Sequence, residues 1–268
     1  APPFRATHPS ERSSPASLDP MKPFPSVIIF DVDGVLVDTR GSFQRTTLET
    51  VEFFTKQRVT ARQLHAWKNR PGFNDDWRLS TAWVNDLGHK FAYEEVKTKF
   101  QQIYWGPDGR GNVTREKWLL AKPKIARLAK LAELAIFTGR VWRELDYTLD
   151  RNKLRGVFQT IVTTEDVANP KPAPDGLLKI LNERDPGEAL YIGDNVDDAL
   201  AARSAKVPFV AVLPKTGHER RERSTRLREL GALTILSDIN ELEQWLAKSY
   251  RPKNFSAAPR QARPITNC

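Results

Sequence analysis

The stretch Val27-Ile28-Ile29-Phe30-Asp31-Val32-Asp33-Gly34-Val35-Leu36-Val37-Asp38 decides the fold. Its first four residues are β-branched or aromatic and do not alternate with polar ones, which is the pattern of a strand buried on both faces. Similar runs recur at residues 134–137, 160–162, 189–192, 207–213 and 233–236. Between them, residues 123–131, 142–153, 174–182, 197–204 and 239–248 have helical spacing, with caps or an early proline. Strand and helix in alternation imply right-handed βαβ units. The expected fold is therefore α/β, a doubly wound, Rossmann-like parallel sheet with helices on both faces.

Residues 41–118 read differently. Phe43, Thr47, Val51 and Phe54 step at helical spacing, and Thr60 with Gln63 makes a capping box. Asn74 is expected to cap a helix carrying Leu79, Trp83 and Leu87, and Tyr93, Val96, Phe100 and Tyr104 form a further helical stripe. This segment follows the first strand and precedes the second. It predicts an all-helical cap at 41–118 on an α/β core formed by 25–40 and 119–250, between tails at 1–24 and 251–268. No internal repeat is found.

Composition fits a globular chain: of 268 residues, 40% are apolar and 28% charged. No apolar run approaches the roughly 18 residues needed to span a bilayer, so no membrane association is expected. The single cysteine, Cys268, leaves no internal disulfide and no cysteine-based zinc site, which favours a reducing compartment. Of the net charge of +9, the tail at 251–268 supplies +4 and the tail at 1–24 supplies +1. Both tails are rich in Pro, Ala and Ser without apolar periodicity, and are expected to be flexible. Residues 1–24 lack the apolar stretch of a secretory signal. Met21 is the only methionine, which makes residues 1–20 a candidate extension upstream of a natural start. The expected location is the cytoplasm, or an organelle if residues 1–20 are a transit remnant. Arg220, Arg221, Arg223, Arg226 and Arg228 are interleaved with Glu219, Glu222 and Glu229, as on a solvated helix, so no nucleic-acid partner is expected. Oligomeric state is not legible.

With a side-chain period of two, Asp31 and Asp33 emerge on one side at the carboxyl end of the first strand, where open α/β sheets bind ligands. Two close carboxylates repel unless a cation or a shared proton compensates, and Mg²⁺ is the simplest solution. The alternatives are a plain Asp/Gly turn or an EF-hand loop. The latter needs Gly at its sixth position, whereas Gly34 is fourth. Three further signals fall at strand ends: Thr138-Gly139-Arg140, Asn169-Pro170-Lys171-Pro172, and Gly193-Asp194-Asn195-Val196-Asp197-Asp198. Singly, Thr138 and Asp194 would be helix caps and Lys171 a solvated lysine. Their joint placement is the stronger signal.

With these four motifs in order, the chain resembles the haloacid dehalogenase superfamily over roughly residues 25–245. The cap inserted after the first motif resembles that of the phosphoglycolate phosphatase-like subgroup. The resemblance implies that Asp31 is the nucleophile and Asp33 the general acid/base. It further implies that Thr138 and Lys171 are phosphoryl ligands, and that Mg²⁺ is held by Asp31, Asp33 and Asp194 with Asp198, Gly139 and Arg140 in support. The stretches at 74–77, 103–106, 136–140 and 196–198 also resemble a subgroup sometimes joined to a histidine-biosynthesis dehydratase.

These roles fit what phosphoryl transfer requires: an in-line nucleophile, neutralisation of the equatorial oxygens and a proton for the leaving oxygen. The expected activity is Mg²⁺-dependent hydrolysis of a small phosphorylated metabolite, a phosphomonoester, through an aspartyl phosphate. A phosphomutase on the same core is the alternative. A haloacid dehalogenase is disfavoured by Asp33 and the acids Asp194, Asp197 and Asp198, and a non-catalytic binding protein by the complete acidic set. Phosphonate hydrolysis would need a Schiff-base lysine from the cap, where Lys56, Lys68, Lys90, Lys97 and Lys99 all read as solvated helix faces. Within the cap, Asn74, Trp77 and Arg78 follow the Pro71-Gly72 break and are the candidate substrate contacts. Which phosphomonoester they read is not legible.

Overall fold

The computed structural model describes residues 22–73, 75–215 and 220–251. Its centre is a six-stranded parallel sheet of β1 (Val27–Phe30), β4 (Glu133–Phe137), β5 (Thr160–Val162), β6 (Ala189–Gly193), β7 (Phe209–Val212) and β8 (Ala232–Leu236). β2 (Val37–Asp38) and β3 (Lys117–Trp118) form a separate antiparallel pair. The sheet order is β5-β4-β1-β6-β7-β8, with β1 paired in parallel to both β4 and β6. The chain winds outward from β1 in one direction and then in the other. The ligand crevice of such a sheet lies outside the carboxyl end of the strand where winding reverses. Here that strand is β1, which delivers Asp31.

Both faces of β1 are covered, as its unbroken apolar run predicts. Ile28 and Phe30 join a core with Ile125 and Leu128 of α5 (Lys122–Leu131), Leu145 and Leu149 of α6 (Trp142–Asn152), and Leu242 and Leu246 of α10 (Leu242–Ser249). Val27 and Ile29 face Leu177 and Ile180 of α7 (Asp175–Leu181), Ala199 and Ala202 of α8 (Val196–Ala205), and Leu227 of α9 (Arg220–Glu229). The period of two along one strand thus divides the core into two layers.

Between β2 and β3 lie α1 (Phe43–Thr55), α2 (Ala61–Lys68), α3 (Asp76–Asp86) and α4 (Tyr93–Trp105). They bury a core of their own around Val51, Leu64, Trp67, Leu79, Trp83 and Val84. β2 and β3 are where the chain leaves the sheet for this helical insert and returns. Neither was expected from the sequence, because a two-residue strand carries no periodicity.

Two local expectations need correction. The cap of α3 is Asp75, whose carboxylate accepts from the backbone N–H groups of Trp77 and Arg78 at 2.8 and 3.1 Å. Asn74 lies outside the described residues. Second, Lys22 and Phe24, counted with the amino-terminal tail, lie against the sheet domain: Phe24 meets Tyr250 edge-on at 6.2 Å between ring centroids, and Lys22 bridges to Tyr250. An aromatic side chain finds apolar surface where composition alone reads a tail. Residues 1–21 and 252–268, which carry the rest of the tail expectations, lie outside the described residues.

Candidate active site

Asp31 follows β1 directly and is 2% exposed. Its partner comes from far along the chain. Lys171 Nζ donates to Asp31 Oδ1 at 2.8 Å and to Asp198 Oδ1 at 2.7 Å, and the lysine is itself buried, so the solvated alternative fails. Asp198 is fully engaged. Its Oδ1 also accepts from the Tyr191 hydroxyl at 2.7 Å, and its Oδ2 accepts from the backbone N–H groups of Asp194 and Asn195 at 3.0 and 3.2 Å. Asn195, rather than Asp194, caps α8, so Asp194 is not occupied as a cap.

Carboxylate oxygens of Asp31, Asp194 and Asp198 lie within 4.8 Å of one another. Burial raises Asp31 well above the ordinary carboxylate range; Lys171 pulls it back, while Asp198, Asp33 and Asp194 push it further up. Burial likewise lifts Asp194 to about 6, opposed by Arg223 and assisted by Asp198. Burial alone would lower Lys171, yet Asp198 and Asp31 hold it above its ordinary value, so it remains an ammonium. Two cations, Lys171 and Arg223, the latter 3.7 Å from Asp194 Oδ2, face three carboxylates. The excess of buried negative charge on hard oxygen donors is the environment that a divalent cation such as Mg²⁺ relieves. With both Asp198 oxygens taken, Asp31 and Asp194 are the side chains that fit a cation.

Asp33 turns elsewhere. Its Oδ1 accepts from Arg140 Nε and Nη2 at 2.9 and 2.6 Å, and it is not one of the three carboxylates that cluster as Asp31, Asp194 and Asp198. Thr138 is buried beside it, its hydroxyl accepting from the Arg140 backbone N–H at 3.2 Å. The residue that precedes α6 as its cap is Val141, so Thr138 is not spent as one. Asp31, Asp33, Thr138, Gly139, Arg140 and Lys171 line one side of a pocket of about 130 Å³. Gly72, Asp75, Asp76, Trp77 and Arg78 of the insert line the other. The two sides also touch where the Gly72 N–H donates to Asp197 at 3.0 Å. Trp77 Nε1 is buried without a hydrogen-bond partner among the described residues, and the Arg78 guanidinium pairs with Asp75 at 3.6 Å.

Several site residues were missed from the sequence. Lys68, expected on a solvated face, pairs with Asp76 at 2.9 Å and lines a small cavity with Asp33 and Asp194. Burial would lower it, but Asp76 raises it, so it stays charged and is a poor Schiff-base nucleophile. Arg223, expected on a solvated helix, donates to the Asp194 carbonyl at 2.9 Å. Both were detectable: Lys68 stands four residues after buried Leu64, and Arg223 four before buried Leu227, so each shares a helix face with a core residue. Of the residues around Arg140, Tyr104 and Thr148 carried the same signal, four residues after buried Phe100 and three after buried Leu145, whereas Glu116 carried none.

Residues 28–212 match the haloacid dehalogenase-like hydrolase family. A pyrophosphatase PpaX of Bacillus cereus (strain B4264) is 35% identical over 199 residues, covering 70% of this chain and 82% of that one. An imidazoleglycerol-phosphate dehydratase of Phytophthora nicotianae is 25% identical over 199 residues, and the aligned part spans 70% of this chain but 44% of that protein. Among solved structures, a conserved haloacid dehalogenase-like protein of unknown function from Agrobacterium tumefaciens superposes with a TM-score of 0.66 at 19% identity, covering 83% of this chain and 98% of the other.

Proposed function

The chain belongs to the haloacid dehalogenase-like hydrolase family and is a phosphatase, and from that premise we propose that it hydrolyses a small phosphomonoester through an aspartyl phosphate on Asp31, with Mg²⁺ as cofactor. The observation that carries this reading is the buried Asp31 carboxylate at the end of β1, aligned by Lys171 and crowded by Asp194 beside an open pocket. An Asp31 oxygen forms the bond to phosphorus as the bond to the leaving oxygen breaks. Lys171, the Thr138 hydroxyl and the Gly139 and Arg140 backbone lie where charge spreads over the equatorial oxygens. Mg²⁺, held by Asp31 and Asp194, would neutralise part of that charge. Asp33 gives its proton to the departing alcohol. It then takes one from the water that attacks phosphorus and frees Asp31, so alcohol and inorganic phosphate are released.

Residues 41–118 act as a cap that reads the leaving group. Trp77, whose indole N–H lacks an acceptor, and Arg78, with a partly free guanidinium, meet the alcohol portion of the substrate. A panel of phosphomonoesters that includes phosphoglycolate, histidinol phosphate and sugar phosphates, assayed for inorganic phosphate with Mg²⁺ and with EDTA, tests the reading. Release with Mg²⁺ and none with EDTA is expected. Full turnover in EDTA, or none on any ester, would refute it.

A further inference from the structure

Arg140 heads the fully buried side chains by size, and every donor it has is used. Nε and Nη2 donate to Asp33 Oδ1 at 2.9 and 2.6 Å. Nη2 and Nη1 donate to Glu116 Oε1 and Oε2 at 2.8 and 3.2 Å, and Nη1 donates to Thr148 Oγ1 at 2.7 Å. A guanidinium has five N–H groups in a rigid fork, so this set is complete and its plane is fixed. Glu116 is held in turn: Oε1 accepts from the Tyr104 hydroxyl and Oε2 from Thr148 Oγ1, each at 2.9 Å. The Phe43 ring lies 4.9 Å from the guanidinium carbon.

The origin of these partners matters. Glu116 immediately precedes β3, where the chain returns from the insert; Tyr104 is on α4, and Phe43 opens α1. Arg140 and Asp33 follow strands of the sheet. A buried guanidinium between them is thus oriented by the insert on one side and orients Asp33 on the other. Two N–H donors on Oδ1 make that oxygen an acceptor, and among the described residues Oδ2 receives none. Oδ2 is therefore the oxygen that Arg140 leaves unengaged.

We infer that Arg140 and Glu116 are positioning residues that aim the free oxygen of Asp33, Oδ2, at the leaving group, and that they tie leaving-group protonation to the seating of the helical insert. The inference rests on the reading of Asp33 as general acid. As phosphorus passes to Asp31, the proton moves from Asp33 Oδ2 to the departing oxygen, and Arg140 keeps its own protons throughout. Displacing Glu116 frees the guanidinium to turn and lets Asp33 rotate off this line.

The readout is the ratio of kcat/KM for ethyl phosphate to that for p-nitrophenyl phosphate, because the nitrophenolate departs without protonation and an alkoxide does not. Glu116→Gln sets an amide N–H₂ against the guanidinium and should lower the ratio about tenfold or more, within the range of general acid catalysis. Tyr104→Phe removes one hydroxyl from the network and should lower it in the same sense by about threefold, and it decides the matter if Glu116→Gln does not fold. Asp33→Asn should lower the ratio most. If Asp33→Asn lowers it while Glu116→Gln and Tyr104→Phe leave it unchanged or lose both substrates equally, the positioning role is wrong and the role of Asp33 stands. If Asp33→Asn leaves the ratio unchanged, the general-acid reading fails and the inference with it.

Discussion

Gly34 packs so tightly against Asp194 that a β-carbon at residue 34 would overlap the Asp194 carboxylate, and the Gly34 backbone sits at φ +78°. Two separate constraints therefore require glycine: the left-handed conformation and the space taken by a carboxylate proposed to hold Mg²⁺.

Gly34→Ala should accordingly do two things at once. The backbone conformation should cost about 1–2 kcal/mol of stability, and displacement of Asp194 should weaken Mg²⁺ binding by at least about tenfold. Thermal melts with and without Mg²⁺, together with calorimetric titration of the ion, measure both. A variant that melts like the native protein and keeps its full Mg²⁺-induced stabilisation would show that residue 34 does not shape the site.

Lys171 and Asp31 separate stability from chemistry. Lys171→Met leaves Asp31 and Asp198 buried and facing each other without a cation, a loss of about 3–5 kcal/mol for removal of one member of a buried charged group. Asp31→Asn keeps an oxygen that accepts from Lys171 but is a poor nucleophile, so it should fold with near-native stability and show no turnover. Urea unfolding and initial rates on both variants check this. Wild-type rates in Asp31→Asn would place the nucleophile elsewhere.

Much of this arrangement was legible because it depends on local pattern. The unbroken apolar run 27–30 required a strand covered on both faces, and Asp31, Thr138, Lys171 and Asp194 each stood just beyond such a run or in a stiff turn. What the pattern did not carry was pairing across sequence distance. Asp33 meets Arg140 rather than the cation cluster, because an ion pair between residues 107 apart leaves no mark on either neighbourhood. Glu116 follows two short 3₁₀ turns, and its partners Arg140, Tyr104 and Thr148 come from other elements. Asp198 read as a neighbour of the metal site, yet its four acceptor contacts make it the brace that holds Lys171 and the Asp194 backbone.

Mg²⁺ affinity should depend on pH through Asp194. Burial raises this carboxyl to about 6 in the metal-free protein, and a cation must displace its proton. Affinity should fall with acidification through 6, by about tenfold per pH unit for each proton exchanged. Calorimetric titrations in two buffers of different ionisation enthalpy count the protons released. No release at pH 5.5 would show that Asp194 is not a ligand.

Trp77 and Arg78 should govern substrate choice without governing chemistry. Arg78→Ala and Trp77→Phe alter two residues that line the pocket from the insert, while the phosphoryl site on the sheet remains intact. KM for the preferred phosphomonoester should rise about tenfold or more, on the scale of one or two lost polar contacts, with a much smaller change for p-nitrophenyl phosphate. Equal losses on both substrates would mean that α3 supports folding or closure rather than recognition.

The last prediction concerns stability. Glu144 on α6 is 2% exposed, and its Oε1 accepts from Gln101 of α4 at 3.0 Å, so it joins the helical insert to the sheet domain. Burial raises this carboxyl to about 7, while the Gln101 hydrogen bond and Arg140 act against that rise and Asp33 adds to it. A carboxyl whose folded value lies above its unfolded one binds its proton more tightly in the folded chain. Its contribution is therefore fully present below about pH 4.5 and is lost as pH rises through about 7. Over that window the folded protein should lose at most about 3 kcal/mol from this group. Glu144→Gln keeps a carbonyl acceptor for Gln101 and removes the titration. The variant should match the native protein near pH 5 and exceed it by about 1–3 kcal/mol at pH 8. Urea unfolding at the two pH values measures the difference directly. An advantage that is the same at both would show that Glu144 ionises alike in the folded and unfolded chains, and that the contact between α4 and α6 is insensitive to its charge.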